Sequence, residues 1–330
     1  MPEHNIAAPE RLREIVNAFA GRRVLVVGDI MLDEYVWGEA NRISPEAPVM
    51  VVEVRDTTYA IGGAGNVGHN IRSLGAHPRL CGVIGDDMMG KILQGIAAGA
   101  GIDTEGLVCA PDRPTTVKTR IVAHSQQVVR VDRETRDPIS GTALDEMLVK
   151  VKHAIPTIDA VILSDYAKGA LTDELTETVV SLARAAGKPT AANLKPPRVA
   201  PFRGATLLTL NMHEAERASN ETIRCDADLH CVGRALRERL DCRALLITRG
   251  ADGVALFTDG IEPVHIPARR VEVYDVTGAG DAVISASTLA LISGASPAEA
   301  AAIGNLAGNA KVRKLGVAPV TTGEILEMIG

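Results

Sequence analysis

A chain of 330 residues, 46% hydrophobic and 23% charged, is long enough to bury the core of one large α/β domain or of two smaller ones. Its formal net charge of -6 argues against a nucleic-acid or anionic-membrane partner, and 2% aromatic residues leave little for a surface that stacks single-stranded bases. Any anion bound here must be held by a local cluster.

The N-terminal stretch "MPEHNIAAPERLREI" lacks the basic and apolar regions of a signal peptide, and no apolar run approaches the ~20 residues of a membrane span. A cytoplasmic protein is expected. The run "RRVLVVGDI" (22–30) is a continuous β-branched strand of the kind buried on both faces. Asp33 follows it by a few residues, placed either to accept hydrogen bonds from two sugar hydroxyls or to sit solvated in a loop. Next, "APVMVVEVRDTTYA" (47–60) is strand-like with no helix signal, and "TTVKTRIVAHSQQVVRVDRE" (115–134) repeats that character. Together they predict a small antiparallel β lid, about 35–60 and 115–134, inserted in the body. It could close over a ligand or pair with another copy of itself through its edges. Lys118, Arg120 and Arg130 on its second segment could neutralise a substrate phosphate, or be solvated face residues.

Between the lid segments, "IGGAGNVGHNIRSLGA" (61–76) sets Gly62, Gly63 and Gly65 before a helical stretch, with Asn66 and Asn70 as donors and acceptors. The spacing is not GxGxxG. It favours a polyhydroxylated substrate over a dinucleotide, with a plain glycine-rich turn equally open. Strand runs "PRLCGVIG", "DAVILSDY", "KPTAAN", "ATLLTL" and "RALLITRG" alternate with helical patterns such as "DEMLVKVKHAI", "DELTETVVSLARAAG" and "DLHCVGRALRERL". That order predicts a mainly parallel sheet flanked by helices, with ligands at the carboxyl ends of its strands. Asn211 and Glu214 in "NMHEAE" fall at such an end, suited to a helix cap or to Mg²⁺ held through water. Thr248, Arg249 and Gly250 close another strand at the same edge, where they could line a triphosphate.

Five cysteines, odd in number and without a CxxC pair, are reduced thiols by default, and "CDADLHC" (225–231) reads as a surface helix rather than a zinc site. His69, His124 and His213 have no partner at a diagnostic spacing and read as structural or solvated. No G-x-S-x-G elbow, HExxH or Walker A lysine motif occurs. Last, "YDVTGAGDAVISAS" (274–287) predicts a helix beginning at its glycines, with Ala279 to Leu291 small, apolar and free of proline. The first N–H groups of that helix suit a phosphate. Asp281, one residue inside, is either a first-turn acid or a base beside the anion.

The pair "GGAGN" and "DVTGAGD", in this order and at this separation, resembles the two signatures of the ribokinase-like (PfkB) carbohydrate kinases, and the similarity runs over nearly the whole chain. "RISPEAPV", "QQVVR", "LSDYAKGAL", "GATLLTLN" and "KLG" look like the subgroup that phosphorylates D-glycero-D-manno-heptose 7-phosphate at the anomeric hydroxyl, a step toward ADP-heptose and lipopolysaccharide. The resemblance implies one ribokinase-like domain over 1–330 that uses ATP and Mg²⁺, with monovalent-cation dependence left open and a homodimer through the β lid. It makes Asp281 the general base and Gly278, Ala279 and Gly280 the anion hole; Asn211 and Glu214 shape the Mg-ATP site, beside Thr248, Arg249 and Gly250. Asp33, Gly62, Gly63 and Asn66 match sugar-binding positions, and Arg120 is favoured for the 7-phosphate. Two departures stand out: "NLKP" (193–196) where the subgroup often has Asp-Pro-Lys-Gly, and "TLN" (209–211) for Thr-Pro-Asn. Lys195 is retained, which keeps a role near the phosphates. With the chain stopping at Gly330, a kinase without a fused nucleotidyltransferase is expected. A kinase for another sugar or sugar phosphate, and a non-catalytic sensor of the same fold, remain alternatives; an intact anion hole with its carboxylate counts against the sensor.

Overall fold

The computed structural model describes residues 6–124 and 126–329. The first five residues of the N-terminal stretch, Ser125 in the second lid segment and Gly330 lie outside the described residues.

In chain order, α1 (Pro9–Asn17) precedes β1 (Arg23–Gly28), and the chain then leaves the body as a long hairpin, β2 (Ile30–Ile43) and β3 (Met50–Gly63). It returns through α2 (Ala64–Ser73), β4 (His77–Gly85), α3 (Met88–Gly99) and β5 (Asp103–Ala110), and crosses out again as β6 (Val117–Ala123) and β7 (Gln126–Arg133). The body continues with α4 (Gly141–Ala154), β8 (Ala160–Ser164), α5 (Asp173–Ala185), β9 (Thr190–Asn193), β10 (Leu207–Asn211), α6 (Met212–Ser219), α7 (Asp226–Arg239) and β11 (Ala244–Thr248). It ends with β12 (Val254–Thr258), β13 (Val264–Ile266), α8 (Ala279–Ile292), α9 (Pro297–Lys311) and α10 (Thr322–Ile329).

The body is a nine-stranded sheet in the order β13-β12-β11-β10-β9-β8-β1-β4-β5. Every neighbouring pair from β5 to β11 is parallel; β12 and β13 are antiparallel at one edge. The continuous apolar run of β1 has its reason here, because both faces are covered. Val24 and Val26 join one core and Leu25 and Val27 the other, as a period of two requires.

β3, β2, β6 and β7, in that order, form the lid. Its outer pairs are antiparallel and its central pair, β2 with β6, runs parallel. The lid begins earlier than the sequence indicates, at Ile30 rather than near residue 35, and Asp33 lies within a strand instead of a loop. Two acids, Asp33 and Glu34, interrupt the apolar pattern of that strand and hide it. Both are satisfied only across the sheet, Asp33 by Arg120 and Glu34 by the Thr119 hydroxyl on β6.

Candidate active site

Asp281 is the third residue of α8, one further in than expected, and is 6% exposed. Its Oδ2 accepts from Asn66 Nδ2 at 2.7 Å and its Oδ1 from the Tyr166 hydroxyl at 2.6 Å. Both donors are themselves held. Asn66, on α2, has its carbonyl bonded by Asn70 Nδ2 at 2.9 Å, and Asn70 Oδ1 accepts from the Val320 N–H at 3.1 Å. Tyr166 sits just past β8, in a loop pinned by buried Asp29, whose carboxylate accepts the N–H groups of Tyr166, Lys168 and Ala170 at 2.8, 3.0 and 2.9 Å. Neither Tyr166 nor Asp29 was singled out from sequence as a functional residue. Their place at the carboxyl edge of the sheet, shared with Asn211 and Thr248, is the signal that points to them.

Burial pushes the Asp281 carboxyl up to about 6, against the downward pull of Tyr166, Asn66 and Lys195; Asp33 adds to the rise. Burial and the neighbouring Asp281 push the Tyr166 phenol well above its usual value, so it remains a neutral donor. Asp281 is ionised above its pKa and only that form accepts a proton. The kcat/KM of the free enzyme is therefore expected to be flat above pH 7 and to fall about tenfold per unit below a pH of about 6, read from a pH–rate profile. Tyr166→Phe removes one donor to the carboxylate. It should shift that acid limb to higher pH and lower kcat roughly tenfold.

At the mouth of α8, Gly278 adopts φ 77°, and a Cβ there would lie 2.8 Å from Asn66 Nδ2. Glycine is thus required both by the backbone and by the amide that holds Asp281. The N–H groups of Gly280 and Asp281 lie in the first turn, where no intrahelical acceptor exists. Ala279 differs from expectation: its N–H donates to Val276 O at 3.2 Å, so this member of the expected anion hole is engaged in the turn.

A cleft of about 550 Å³ runs from Gly278, Gly280 and Asp281 to Lys195, Asn211, Glu214, Thr248 and Gly250. Asn211 caps α6: its Oδ1 accepts the Glu214 N–H at 2.9 Å, and Glu214 Oε2 accepts the Asn211 N–H at 2.9 Å. The other Glu214 oxygen is ion-paired with Lys195. Arg217 donates to Pro196 O at 2.7 Å, so the departing "NLKP" loop still presents Lys195 to the cleft. Among the described residues no cluster of three His, Cys, Asp or Glu side chains is placed to hold a metal. A single carboxylate whose two oxygens both already have protein partners fits a Mg²⁺ held chiefly by phosphates and water, reached by Glu214 through that water. The Arg249 guanidinium donates to His265 Nδ1 and to Asp226 Oδ1, each at 2.8 Å. These contacts hold it against β13 and α7, while Arg249 still lines the cleft beside Thr248 and Gly250.

On the lid side, Asp33 is 3% exposed and ion-paired with Arg120, whose guanidinium lies 5.3 Å from the centre of the Tyr35 ring. A Cβ at Gly62 would collide with the Asp33 carboxylate. Gly63, with φ 59°, turns the chain into α2. Lys118 is paired with Asp132 and Glu134 at 3.1 and 3.5 Å, and Arg130 with Asp132 at 2.9 Å. Of the four expected sugar-binding positions, Asp33, Gly62 and Gly63 lie together with Arg120. Asn66 is committed to Asp281 instead, at the point where the lid side meets the cleft.

Residues 22–322 match the pfkB family of carbohydrate kinases. The chain belongs to that family. It is 44% identical over 310 residues to the bifunctional protein HldE of Desulfatibacillum aliphaticivorans, covering 94% of this chain and 63% of that protein. Against HldE of Geobacter sulfurreducens it is 44% identical over 319 residues, covering 96% and 65% respectively. The pfkB chain therefore spans less than two thirds of the length of these relatives. Among solved structures it resembles Arabidopsis thaliana ribokinase complexed with ribose and ATP, with TM-score 0.74, 20% identity, and coverage of 94% of this chain and 99% of that one. Escherichia coli phosphofructokinase-2 with fructose-6-phosphate gives TM-score 0.76 at 15% identity, covering 94% and 98%. At these identities the likeness shows the ribokinase-like fold alone. The family is one of carbohydrate kinases, which makes the protein an enzyme of the sugar-kinase class. Among the described residues no helix is long and apolar enough to cross a membrane.

Proposed function

We propose that this kinase transfers the γ-phosphoryl group of ATP to the C1 hydroxyl of D-glycero-D-manno-heptose 7-phosphate, giving heptose 1,7-bisphosphate for ADP-heptose and lipopolysaccharide core synthesis in the cytoplasm. The observation that carries the chemistry is Asp281: a buried carboxylate fixed by two donors, third residue of a helix whose N-terminus is open. The "RISPEAPV" and "SDYAKGAL" segments and the similarity to HldE support the choice of substrate.

In this reading the lid closes over the sugar and excludes water. Asp33, oriented by Arg120, accepts hydrogen bonds from sugar hydroxyls, and the backbone at Gly62 and Gly63 lets the ring approach closely. Part of the guanidinium of Arg120 is used by Asp33; its remaining N–H groups serve the 7-phosphate. Asp281 takes the proton of the C1 hydroxyl as that oxygen bonds to the γ-phosphorus, and the β–γ bridging oxygen leaves with its electron pair on ADP. Charge on the transferring group is met by the N–H groups of Gly278, Gly280 and Asp281 at the start of α8, and Lys195 neutralises phosphate oxygens at the cleft. Mg²⁺ bound to the nucleotide, reached through water by Glu214, would further offset that charge. The exposed Val129 and Val131 on β7 make a homodimer through the lid part of the same reading.

The test is ADP release with Mg-ATP and heptose 7-phosphate, fructose 6-phosphate, ribose or adenosine. Strong turnover on the heptose alone is the expected result. Preference for another sugar would move the enzyme elsewhere among the sugar kinases, and no release from any would refute the reading.

A further inference from the structure

Lys311, the last residue of α9, has 0% of its surface exposed. A lysine this deeply buried is ordinarily paired with a carboxylate. Here its one side-chain hydrogen bond among the described residues goes to Lys314 O at 3.3 Å. The side chain runs instead beneath the loop that leads into α8, where a Cβ at Gly278 would lie 3.6 Å from Lys311 Cε. Two backbone segments are sewn together around it. Tyr274 N–H donates to Val312 O at 2.8 Å, and Gly316 N–H donates to Asp275 Oδ2 at 2.8 Å. Asp275 also accepts the Thr277 N–H at 2.9 Å, so the turn before Gly278 is tied to the turn after Lys311.

Burial lowers the pKa of the Lys311 ammonium, while the charges of Asp275 and Asp281 favour its protonated form and Lys314 opposes it. Fold stability alone supplies no reason for such a charge, since an apolar side chain of similar length would avoid the cost of removing it from water. A fixed positive charge of low solvent exposure, one layer behind a helix N-terminus, does have a use when an anion docks in front. It attracts the anion in a weakly screened environment and needs no reorganisation when charge develops.

We propose that Lys311 is a positioning residue for phosphoryl transfer: its buried ammonium is a built-in counter-charge behind the Gly278 turn, supporting the negative charge that collects at the start of α8. This rests on the assignment of that helix start to the transferring phosphoryl group. Lys311 acts through the turn and does not itself touch the substrates.

The experiment compares wild type, Lys311→Met and Lys311→Ala on the sugar that wild type turns over best, with melting temperature and the separate kcat and KM values as readouts. The methionine variant should fold with an unchanged or raised melting temperature and lose at least about tenfold in kcat, with the sugar KM within about threefold. Lys311→Ala should be slow as well and recover in part with added ammonium or methylammonium, but not tetramethylammonium. Wild type should not respond. A folded methionine variant with kcat within about twofold of wild type overturns the proposal, as does a folded, slow alanine variant that no amine restores. Loss of the fold in both variants overturns it too, by making the role structural. An inactive wild type refutes the kinase reading and this proposal with it, whereas an active wild type with unaffected variants refutes this proposal alone.

Discussion

Asp281→Asn is expected to lower kcat by about 10²–10⁴-fold while leaving Mg-ATP and sugar binding within a few-fold of wild type. The substitution preserves shape but removes the only group at the start of α8 that can take up a proton. Asn66 and Tyr166 both donate to this side chain, so an amide places its own donor against one of theirs and costs some stability. That cost falls on folding and not on turnover by the folded protein, so melting temperature and kcat separate the two. Calorimetric titration with a non-hydrolysable nucleotide, set beside the rate measurement, checks the claim. Loss of binding in step with loss of turnover would make Asp281 a structural residue.

Gly278→Ala is expected to be nearly as damaging, although it changes no charge. Its φ of 77° costs an L-residue about 1 kcal/mol. The added Cβ also meets Asn66 Nδ2 at 2.8 Å, the very donor that fixes Asp281. The Asp281 carboxylate and the turn at the start of α8 are therefore displaced together. We expect a fall in kcat of about 10²-fold and a modest drop in melting temperature. Gly280→Ala is the comparison for melting temperature, because nothing lies within 4 Å of a Cβ placed there, although Gly280 also lines the cleft. Equal drops in melting temperature at the two positions would show that the packing of Gly278 on Asn66 is unimportant.

How far the site was legible in the sequence depended on whether a residue's partner lies nearby in the chain. The glycine turn and the small apolar run after it announced α8 almost to the residue. The reciprocal Asn211 and Glu214 cap joins two residues three apart in the chain, so the cap reading could be taken from the local pattern, and the same two residues line the cleft. Where the partner is distant, sequence reasoning stopped short. Tyr166 and Asp281 are 115 residues apart and meet only because β8 ends and α8 begins at the same edge of the sheet. β2 was read late because its acids look solvated until the parallel register with β6 sets Tyr35 opposite Arg120 and brings that guanidinium to Asp33. Arg249 shows the same limit, since nothing local marks its contacts with His265 and Asp226. Lys311 is the extreme case. A lysine in the last turn of a helix ordinarily satisfies the dipole in water, whereas here the 274–278 loop, bonded to Val312, lies against a lysine that is fully buried.

The most direct test of the whole account is phosphorus NMR of the reaction mixture after incubation with heptose 7-phosphate and Mg-ATP. The account predicts a second sugar phosphate, coupled to the anomeric carbon and its proton, appearing mole for mole with ADP and absent with Asp281→Asn. Phosphate on any other carbon, or ADP formed without a new sugar phosphate, would contradict it.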